Sequence, residues 1–393
     1  MDIELTVGQR VLRDELRSYF DGLLSTSERA ELLTERHGGA YRALVRRLGR
    51  DGRLGVGWPT EYGGRGFGPV EQQIFVNEAA RADVPLPYVT LQTVGPTLQA
   101  YGSEAQKSFF LPRILAGEVH FAIGYTEPEA GTDLAALRTT AVRDGDSFVV
   151  NGQKIFTTGA HDADYVWLAC RTDPDAPRHK GISILIVDTA DPGFSWTPII
   201  TCDGAHHVNA TYYSDVRVPA SMLVGELHAG WRLITTQLNH ERVMLGPAGR
   251  IAALYQRVLS WARDHDVLGE PDMRRALART FASLRVNELL NWQVAAAGSE
   301  VSVADASATK VFSSDRLQWI GRVLEEAVGA HGDPADEDTA ELSRWLDVQA
   351  KRNLVLTFGG GVNEIQRELI AVAGLDLPRV PRERERRSVR RLD

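Results

Sequence analysis

The stretch GYTEPEAGTDLAALRT, residues 124–139, lies where the hydrophobic pattern of the chain changes. Before it, apolar residues recur every three or four positions, as they do on an amphipathic helix. After it come short runs rich in β-branched and aromatic residues, separated by Asp-Gly, Asn-Gly, Pro and Gly turns, which are typical of strands. This stretch therefore marks the passage from a helical region to a β region.

The residues of this stretch suit contact with a ligand. Gly131 allows the backbone to approach another molecule closely, and Thr126 and Thr132 offer hydroxyl groups. Glu127 and Asp133 can accept hydrogen bonds from nearby backbone amides. A polar turn at the entry to a β domain has the same composition, and such turns are common.

Helical spacing is found on both sides of the β region. It covers residues 70–82 and 103–121, where Ser103 is the predicted N-cap, and it returns at Gly230. Four long helical segments then follow, at 230–265, 272–299, 303–330 and 338–356. We predict an α+β chain with an N-terminal helical domain (1–121), a middle β-sandwich or barrel (122–229), a C-terminal four-helix bundle (230–376) and a charged tail (377–393).

The composition excludes several classes of protein. The 393 residues carry a net charge of −8, which argues against nucleic acid as a partner. Cys170 and Cys202 are the only cysteines, so neither a disulfide framework nor a cysteine metal cluster is expected. No window approaches 18 apolar residues and the start does not resemble a signal peptide, which predicts a cytoplasmic protein without a membrane span.

One carboxylate, Glu241, interrupts an apolar helical face within QLNHERVMLGPAG, residues 237–249. Ionising a carboxylate in such surroundings is costly without a charged partner, and groups of this kind are often catalytic. The alternative is an exposed residue at the edge of the face, or a structural ion pair with Arg242. Pro247 is predicted to kink the same helix. The apolar residues that share the face are Ile234, Leu238, Leu245 and Ala248.

The stretch at 124–139 closely resembles the T-E-P-x-A-G-S/T-D signature of acyl-CoA dehydrogenases. NGQKIFTTG, residues 151–159, resembles N-G-x-K-x-W-I-T-N of the same family. The resemblance implies the acyl-CoA dehydrogenase fold, an FAD cofactor and α,β-dehydrogenation of an acyl-CoA thioester. A carboxylate removes the α-proton, and the β-hydrogen leaves as hydride to the flavin. Shorter matches at QKSFFLP, AGE, VRVP, KVF and NEIQRELIA extend the resemblance over essentially the whole chain.

The resemblance also implies which residues border the cofactor. Phe156 replaces the usual Trp beside the isoalloxazine and keeps an aromatic face, and Thr158 donates a hydrogen bond near the hydride-accepting nitrogen. Thr132 serves the thioester end of the substrate as well. The cofactor-binding residues implied in this way are Tyr125, Thr126, Gly131, Thr132, Phe156, Thr157, Thr158 and Glu364.

Comparison with the family pattern at residue 360 makes Glu241 the predicted base. Many members carry their base in a Y-E-G-T string, where this chain has Gly360. A subgroup that includes the isovaleryl-CoA enzymes takes the base instead from a string resembling L-x-x-E-R, which here is Leu238–Arg242. Arg242 is then a charge-balancing neighbour at the substrate. The backbone N–H of Gly360 can still bind the thioester oxygen.

Two further departures concern segments that serve the FAD of a neighbouring subunit. The family's R-x-x-F-G has become His265 to Gly269, and its Q-x-x-G-G-x-G loop begins with Glu326 and contains Ala330. A His is a poor substitute for a guanidinium that clamps a pyrophosphate. The pattern resembles the base-bearing subunit of the α2β2 acyl-CoA dehydrogenases of actinobacterial sterol side-chain degradation, which implies a second, non-identical subunit and an electron-transfer flavoprotein as acceptor.

These observations leave several functions open. Pro247 and the glycines 359–361 remove side-chain volume from two walls, which predicts room for a fused-ring acyl group. The resemblance to the sterol side-chain enzymes implies a steroid CoA ester with a three-carbon side chain. A homotetrameric, isovaleryl-like dehydrogenase shares the position of the base. A catalytically silent subunit that stabilises an active paralogue is a third hypothesis, and flavin oxidases and monooxygenases share the fold.

Overall fold

The computed structural model describes residues 4–244 and 246–379, except for the side chains of residues 238–244 and 299. The N-terminal part is helical, as predicted. The predicted N-cap Ser103 is confirmed, because its hydroxyl accepts a hydrogen bond from Gln106 N at 3.2 Å. A π-helical segment, Val89–Val94, leads into the fifth helix. The helices are α1 (Val7–Asp21), α2 (Thr26–Thr34), α3 (Gly39–Arg50), α4 (Pro69–Arg81), α5 (Gly95–Tyr101) and α6 (Glu104–Leu115).

Eight strands follow and form one mixed sheet. Its order is β6-β7-β3-β2-β4-β5-β8, and β1 pairs with β4 in parallel. Val150 and Val216 share one hydrophobic core with Leu168 and Leu185, although their strands are several positions apart in the sheet. The sheet therefore folds over itself. The strands are β1 (Phe121–Gly124), β2 (Thr140–Asp144), β3 (Ser147–Thr158), β4 (Tyr165–Arg171), β5 (Ile182–Asp188), β6 (Phe194–Ile200), β7 (His206–Pro219) and β8 (Leu223–Val224).

Only one of two predicted turn dipeptides makes a turn. The first, Asp144-Gly145, lies at a turn: Asp144 ends β2, Gly145 and Asp146 connect it to β3, and Gly145 has φ +59°. The second prediction was wrong, because Asn151 and Gly152 lie inside β3 at a shift in its pairing with β7. Gly152 is needed there for another reason: a Cβ on it would lie 2.6 Å from Thr139 Oγ1.

The C-terminal part is again helical, but the segment predicted as one helix over 230–265 is two helices. α7 ends at Met244, α8 begins at Ala248, and Pro247 is its N-cap with φ −63° and ψ 132°. The predicted kink is thus a complete break. The helices are α7 (Gly230–Met244), α8 (Ala248–Asp264), α9 (Pro271–Ala297), α10 (Val303–His331), α11 (Glu337–Asn353) and α12 (Asn363–Leu369).

Buried apolar side chains of α8, α9, α10 and α11 form one core, which includes Leu254, Leu284 and Leu324. These four helices are the predicted bundle. A second core joins the N-terminal helices to β1, β4, β5 and the start of α7. Of the charged tail predicted over 377–393, residues 380–393 lie outside the described part of the chain.

Candidate active site

The loop between β1 and β2 carries the first group of predicted site residues. Tyr125 is buried, and Thr126 is half-buried. Gly131 and Thr132 are exposed further along the loop. The loop thus presents a glycine and hydroxyl groups to its surroundings while its first residue is anchored in the interior.

A buried carboxylate shapes this loop. Glu127 accepts hydrogen bonds from Arg138 N at 2.7 Å and Thr139 N at 2.8 Å, which confirms its predicted role in capping local amides. Lys154 Nζ lies 2.8 Å from Glu127 Oε1. Burial alone would raise the pKa of Glu127, but the Lys154 charge and these hydrogen bonds hold it below its usual value. The carboxylate is therefore ionised at neutral pH.

The end of β3 carries the second group. Phe156 has φ +59°, an uncommon conformation for an aromatic residue, and its side chain is 60% exposed. Thr157 is buried and Thr158 is exposed. A 2.8 Å hydrogen bond from Ile155 N to Thr126 O brings this strand against the β1–β2 loop. The first two groups of predicted residues therefore lie side by side.

Helix α7 is tied to the same loop. Tyr125 OH donates a hydrogen bond to Gln237 Oε1 and accepts one from Trp167 Nε1 at 3.1 Å. Gln237 is 1% exposed, and its Nε2 has no partner among the described residues, so a bound ligand could accept from it. Glu241 belongs to the next turn of the helix. The side chains of Glu241 and Arg242 lie outside the described residues.

The glycine turn before α12 carries the third group. Gly360 has φ +64° and Gly361 has φ +97°, so both adopt a conformation that side chains disfavour. Lys310 Nζ, which is buried on α10, donates to Gly361 O at 2.6 Å and to Asn363 Oδ1 at 2.7 Å. Both hydrogen bonds from Lys310 therefore hold the turn against α10. Glu364, the predicted cofactor residue on α12, is exposed.

Helix α10 brings the glycine turn and the end of α7 together. Lys310 holds the turn, and three residues later Ser313 lies against Gly246, directly beyond the α7 helix. A Cβ on Gly246 would lie 2.0 Å from Ser313 Oγ. Residues three apart share one face of a helix. The glycine turn and the segment directly after α7 thus lie against the same face of α10.

The break between α7 and α8 is held by buried carboxamides. Gly246 O accepts from Asn287 Nδ2 at 2.9 Å and from Asn291 Nδ2 at 3.1 Å. Ala248 N donates to Asn291 Oδ1 at 2.9 Å. Both asparagines are fully buried on α9. They satisfy backbone groups that a continuous helix would have paired internally.

The two altered segments that face a neighbouring subunit in the family are acidic here. His265 Nε2 lies 3.0 Å from Asp336 Oδ2, and this hydrogen bond raises the pKa of His265. Asp266 follows it in the left-handed conformation, with φ +55°. Glu326 is exposed on α10. The imidazole is thus already engaged by a carboxylate of its own chain.

Three groups that hold the site were missed by sequence reasoning: Gln237, the Lys154–Glu127 contact and the two asparagines of α9. One signal was available for the last of these. Polar residues recur at helical spacing on the buried face of α9, where an apolar stripe is expected. They are Thr280, Ser283, Asn287 and Asn291.

The residues present fit a flavin. A planar heteroaromatic ring needs an apolar face to pack on and donors at its polar edge. The exposed ring of Phe156 provides such a face. Thr158, two residues later on the same strand, and Thr132, in the β1–β2 loop, are exposed residues with hydroxyl groups. Among the described residues, no group of three or more His, Cys, Asp or Glu could hold a metal ion.

This helix–sheet–helix fold and its site define a flavoprotein oxidoreductase. Residues 6–118, 122–216 and 228–375 match the N-terminal, middle and C-terminal domains of acyl-CoA dehydrogenases. The chain belongs to the acyl-CoA dehydrogenase family. It is 69% identical to acyl-CoA dehydrogenase FadE29 and 47% identical to FadE26, both of Mycobacterium tuberculosis, over 97% of this chain and the full length of each relative.

Two solved structures resemble the chain closely. A chain of the Tcur3481-Tcur3483 steroid ACAD (acyl-CoA dehydrogenase) is 50% identical, with a TM-score of 0.91 over 97% of this chain and 100% of that one. A chain of the ChsE4-ChsE5 complex from Mycobacterium tuberculosis is 47% identical, with a TM-score of 0.88 and the same coverage. Among the described residues, no helix is long and apolar enough to cross a membrane.

Proposed function

We propose that this chain is the base-bearing subunit of a heterotetrameric, FAD-dependent dehydrogenase that oxidises a steroid CoA ester with a three-carbon side chain. The observation that carries the proposal is that the glycine turn and Gly246, which follows α7, lie against one face of α10. It supports a single site in which Glu241 does the work of the carboxylate that Gly360 lacks. The likeness to a steroid ACAD supports the substrate class.

In this mechanism Glu241 removes the α-proton of the thioester. A carboxylate is a stronger base where an apolar setting raises its pKa. The Gly360 N–H donates to the thioester oxygen and stabilises the charge that develops there. Thr126, Thr132 and Thr158 orient the cofactor at its polar edge. When bound, the flavin supplies the acceptor for the hydride that leaves the β-carbon.

The partner is a second, non-identical subunit of the same family. His265 is paired with Asp336, and Asp266 and Glu326 add negative charge where a neighbour's pyrophosphate would lie. Such a surface repels a phosphate. The chain therefore holds one FAD, and the neighbouring subunit supplies the cationic contact to the pyrophosphate of that FAD. This chain offers no such contact to a cofactor in its neighbour. The ChsE4-ChsE5 complex is a relative made of two different subunits, which supports this assembly.

Co-expression with a candidate partner subunit tests the proposal. We expect one FAD for each pair of chains, and faster turnover of a steroid-carboxylyl-CoA than of isovaleryl-CoA or octanoyl-CoA. An electron-transfer flavoprotein serves as the proposed acceptor in this assay. One FAD per chain in a homotetramer that prefers isovaleryl-CoA would instead establish the branched-chain alternative. An active complex whose FAD belongs wholly to the partner would make this chain a stabilising subunit.

A further inference from the structure

A lysine with no exposed surface lies beneath the candidate flavin site. The side chain of Lys154 is 0% exposed and that of Glu127, with which it pairs, is 8% exposed. Burying an ion pair removes both charges from water, so such a pair is a poor way to stabilise a fold. A buried amine that an apolar residue could replace therefore calls for another explanation.

The contacts of Lys154 reach both segments that border the site. Its Nζ donates to Glu127 Oε1 at 2.8 Å and to the backbone oxygen of Tyr125 at 3.1 Å, both in the β1–β2 loop. Glu127 in turn holds two amides at the far end of that loop. One ammonium group thus fixes the two ends of the loop against each other.

On its own strand, Lys154 marks the start of the irregularity that exposes Phe156. The pairing of β3 with β7 shifts between Lys154 and Thr157. Between them, Phe156 takes its left-handed conformation and points its ring outward. A strand bends where such a bulge occurs, and the bend redirects a side chain. The inward Lys154 anchors the strand on the residue before that bend begins.

We propose that Lys154 is the positioning residue of the flavin site, because it sets the distance and orientation between the β1–β2 loop and the Phe156–Thr158 segment. This role rests on the proposed FAD binding, and it adds a residue that touches neither the cofactor nor the substrate. Removal of the amine takes one hydrogen bond from Tyr125 O and leaves a buried carboxylate without its countercharge, so the two segments that border the site lose a shared contact.

The same loop offers a matched control. Arg138 pairs with Glu129 at 2.7 Å, but these side chains are 79% and 70% exposed. Exposed ion pairs contribute little to structure. The variants to compare are therefore Lys154→Met, which removes a buried positive charge, and Arg138→Met, which removes an exposed one from the same loop.

The first measurement is hydrogen–deuterium exchange in the purified native assembly, followed by titration of the flavin-depleted protein with FAD. We expect Lys154→Met to speed exchange across residues 125–139 and at Ile155, and to raise the FAD dissociation constant by at least about tenfold. Arg138→Met should leave both quantities unchanged. Equal behaviour of the two variants would overturn the proposal.

A double variant separates positioning from charge balance. Glu127→Gln combined with Lys154→Met no longer buries an unpaired carboxylate, so its thermal midpoint should exceed that of Lys154→Met. Its FAD affinity should remain weak, because the tie to Tyr125 O is still missing. Recovery of FAD affinity along with the midpoint would show that Lys154 only neutralises Glu127, which contradicts the proposal. If the unaltered protein bound no FAD, the proposed function would fail, and hydrogen exchange alone would decide the role of Lys154.

Discussion

At the scale of single residues, the site depends on where side chains are absent as much as on where they are present. Gly360 and Gly361 have positive φ, and the carbonyl of Gly361 is held by the buried Lys310. A glutamate at 360 would have to adopt the left-handed conformation, which L-residues other than Asn and Asp seldom do. In the proposed mechanism, the glycine turn and a base on another helix are therefore two parts of one arrangement.

Substitution of Gly361 by alanine should destabilise the protein. The residue has φ +97°, and an added Cβ would lie 2.5 Å from Gln366 Nε2. We expect a loss of about 1–2 kcal/mol in the free energy of unfolding, from left-handed strain. Gly269→Ala is the control, because nothing lies within 4 Å of its Cβ position. Denaturant melts of both variants provide the comparison, and equal midpoints would contradict the strained conformation.

At the scale of elements, the break between α7 and α8 is the feature that local sequence signals foretold only in part. Pro247 predicts a disturbance of the helix, and a kink is the usual result. The complete break depends on Asn291, 43 residues away from Ala248 in sequence, which supplies the hydrogen bonds that the chain loses there. Propensity at Pro247 carries no information about that distant partner.

Asn291→Leu should therefore weaken the break more than a surface change on the same helix. The substitution leaves Ala248 N without its acceptor and removes one of the two donors to Gly246 O. An unpaired buried polar group costs about 1–3 kcal/mol. The exposed Gln293→Leu serves as the control. Thermal unfolding measures the difference, and a stabilised Asn291→Leu protein would show that the asparagine is not needed.

The strand dipeptides show a second limit of local reading. Asp144-Gly145 and Asn151-Gly152 carry the same turn signal, yet only the first is a turn. The second lies within β3, where pairing with β7 on one side and contact with Thr139 on the other determine the backbone. Tertiary pairing overrides local propensity at such positions. The helix–sheet–helix order was predictable because it depends on long periodic segments.

At the scale of the whole molecule, the N-terminal helices and the sheet meet around several histidines. The ring of His37 lies 5.2 Å from that of His161 and 6.1 Å from that of His207, measured between centroids. Burial, with the repulsion of these neighbours, lowers the pKa of His37 to about 3. The pKa values of His161 and His207 are also lowered, chiefly by burial. The junction therefore holds uncharged imidazoles at neutral pH.

This junction predicts a loss of stability in acid. Between pH 6.5, the usual value for histidine, and about 3, the unfolded chain binds a proton at residue 37 that the folded chain does not. The contribution of the neutral imidazole to the free energy of unfolding is therefore fully present above pH 6.5. It falls as the pH is lowered, by up to about 1.4 kcal/mol per pH unit for each such histidine.

The substitution His37→Gln should reduce this slope, and His179→Gln, at an exposed position, should not. The measurement is the thermal midpoint of each protein as a function of pH. Identical pH profiles for His37→Gln and the unaltered protein would contradict the burial of a neutral imidazole at the junction.

The candidate site was less accessible to sequence reasoning than the fold. The family resemblance indicated Tyr125, Phe156 and Gly360, because these residues stand within recognisable strings. Lys154 also stands within such a string, but its pairing with Glu127 depends on strand register and on the folding of a loop. Supporting contacts of this kind join distant parts of the chain, so local sequence patterns do not predict them.

The most direct test of the account is the anaerobic rate at which a steroid-carboxylyl-CoA bleaches the flavin absorbance of the Glu241→Gln complex. A positioned general base contributes about 10²–10⁴ to rate, so we expect a loss of that size with FAD content and substrate affinity preserved. Glu226→Gln, at an exposed position before α7, should react like the unaltered complex. Bleaching at the normal rate by Glu241→Gln would contradict the assignment of Glu241 as the base.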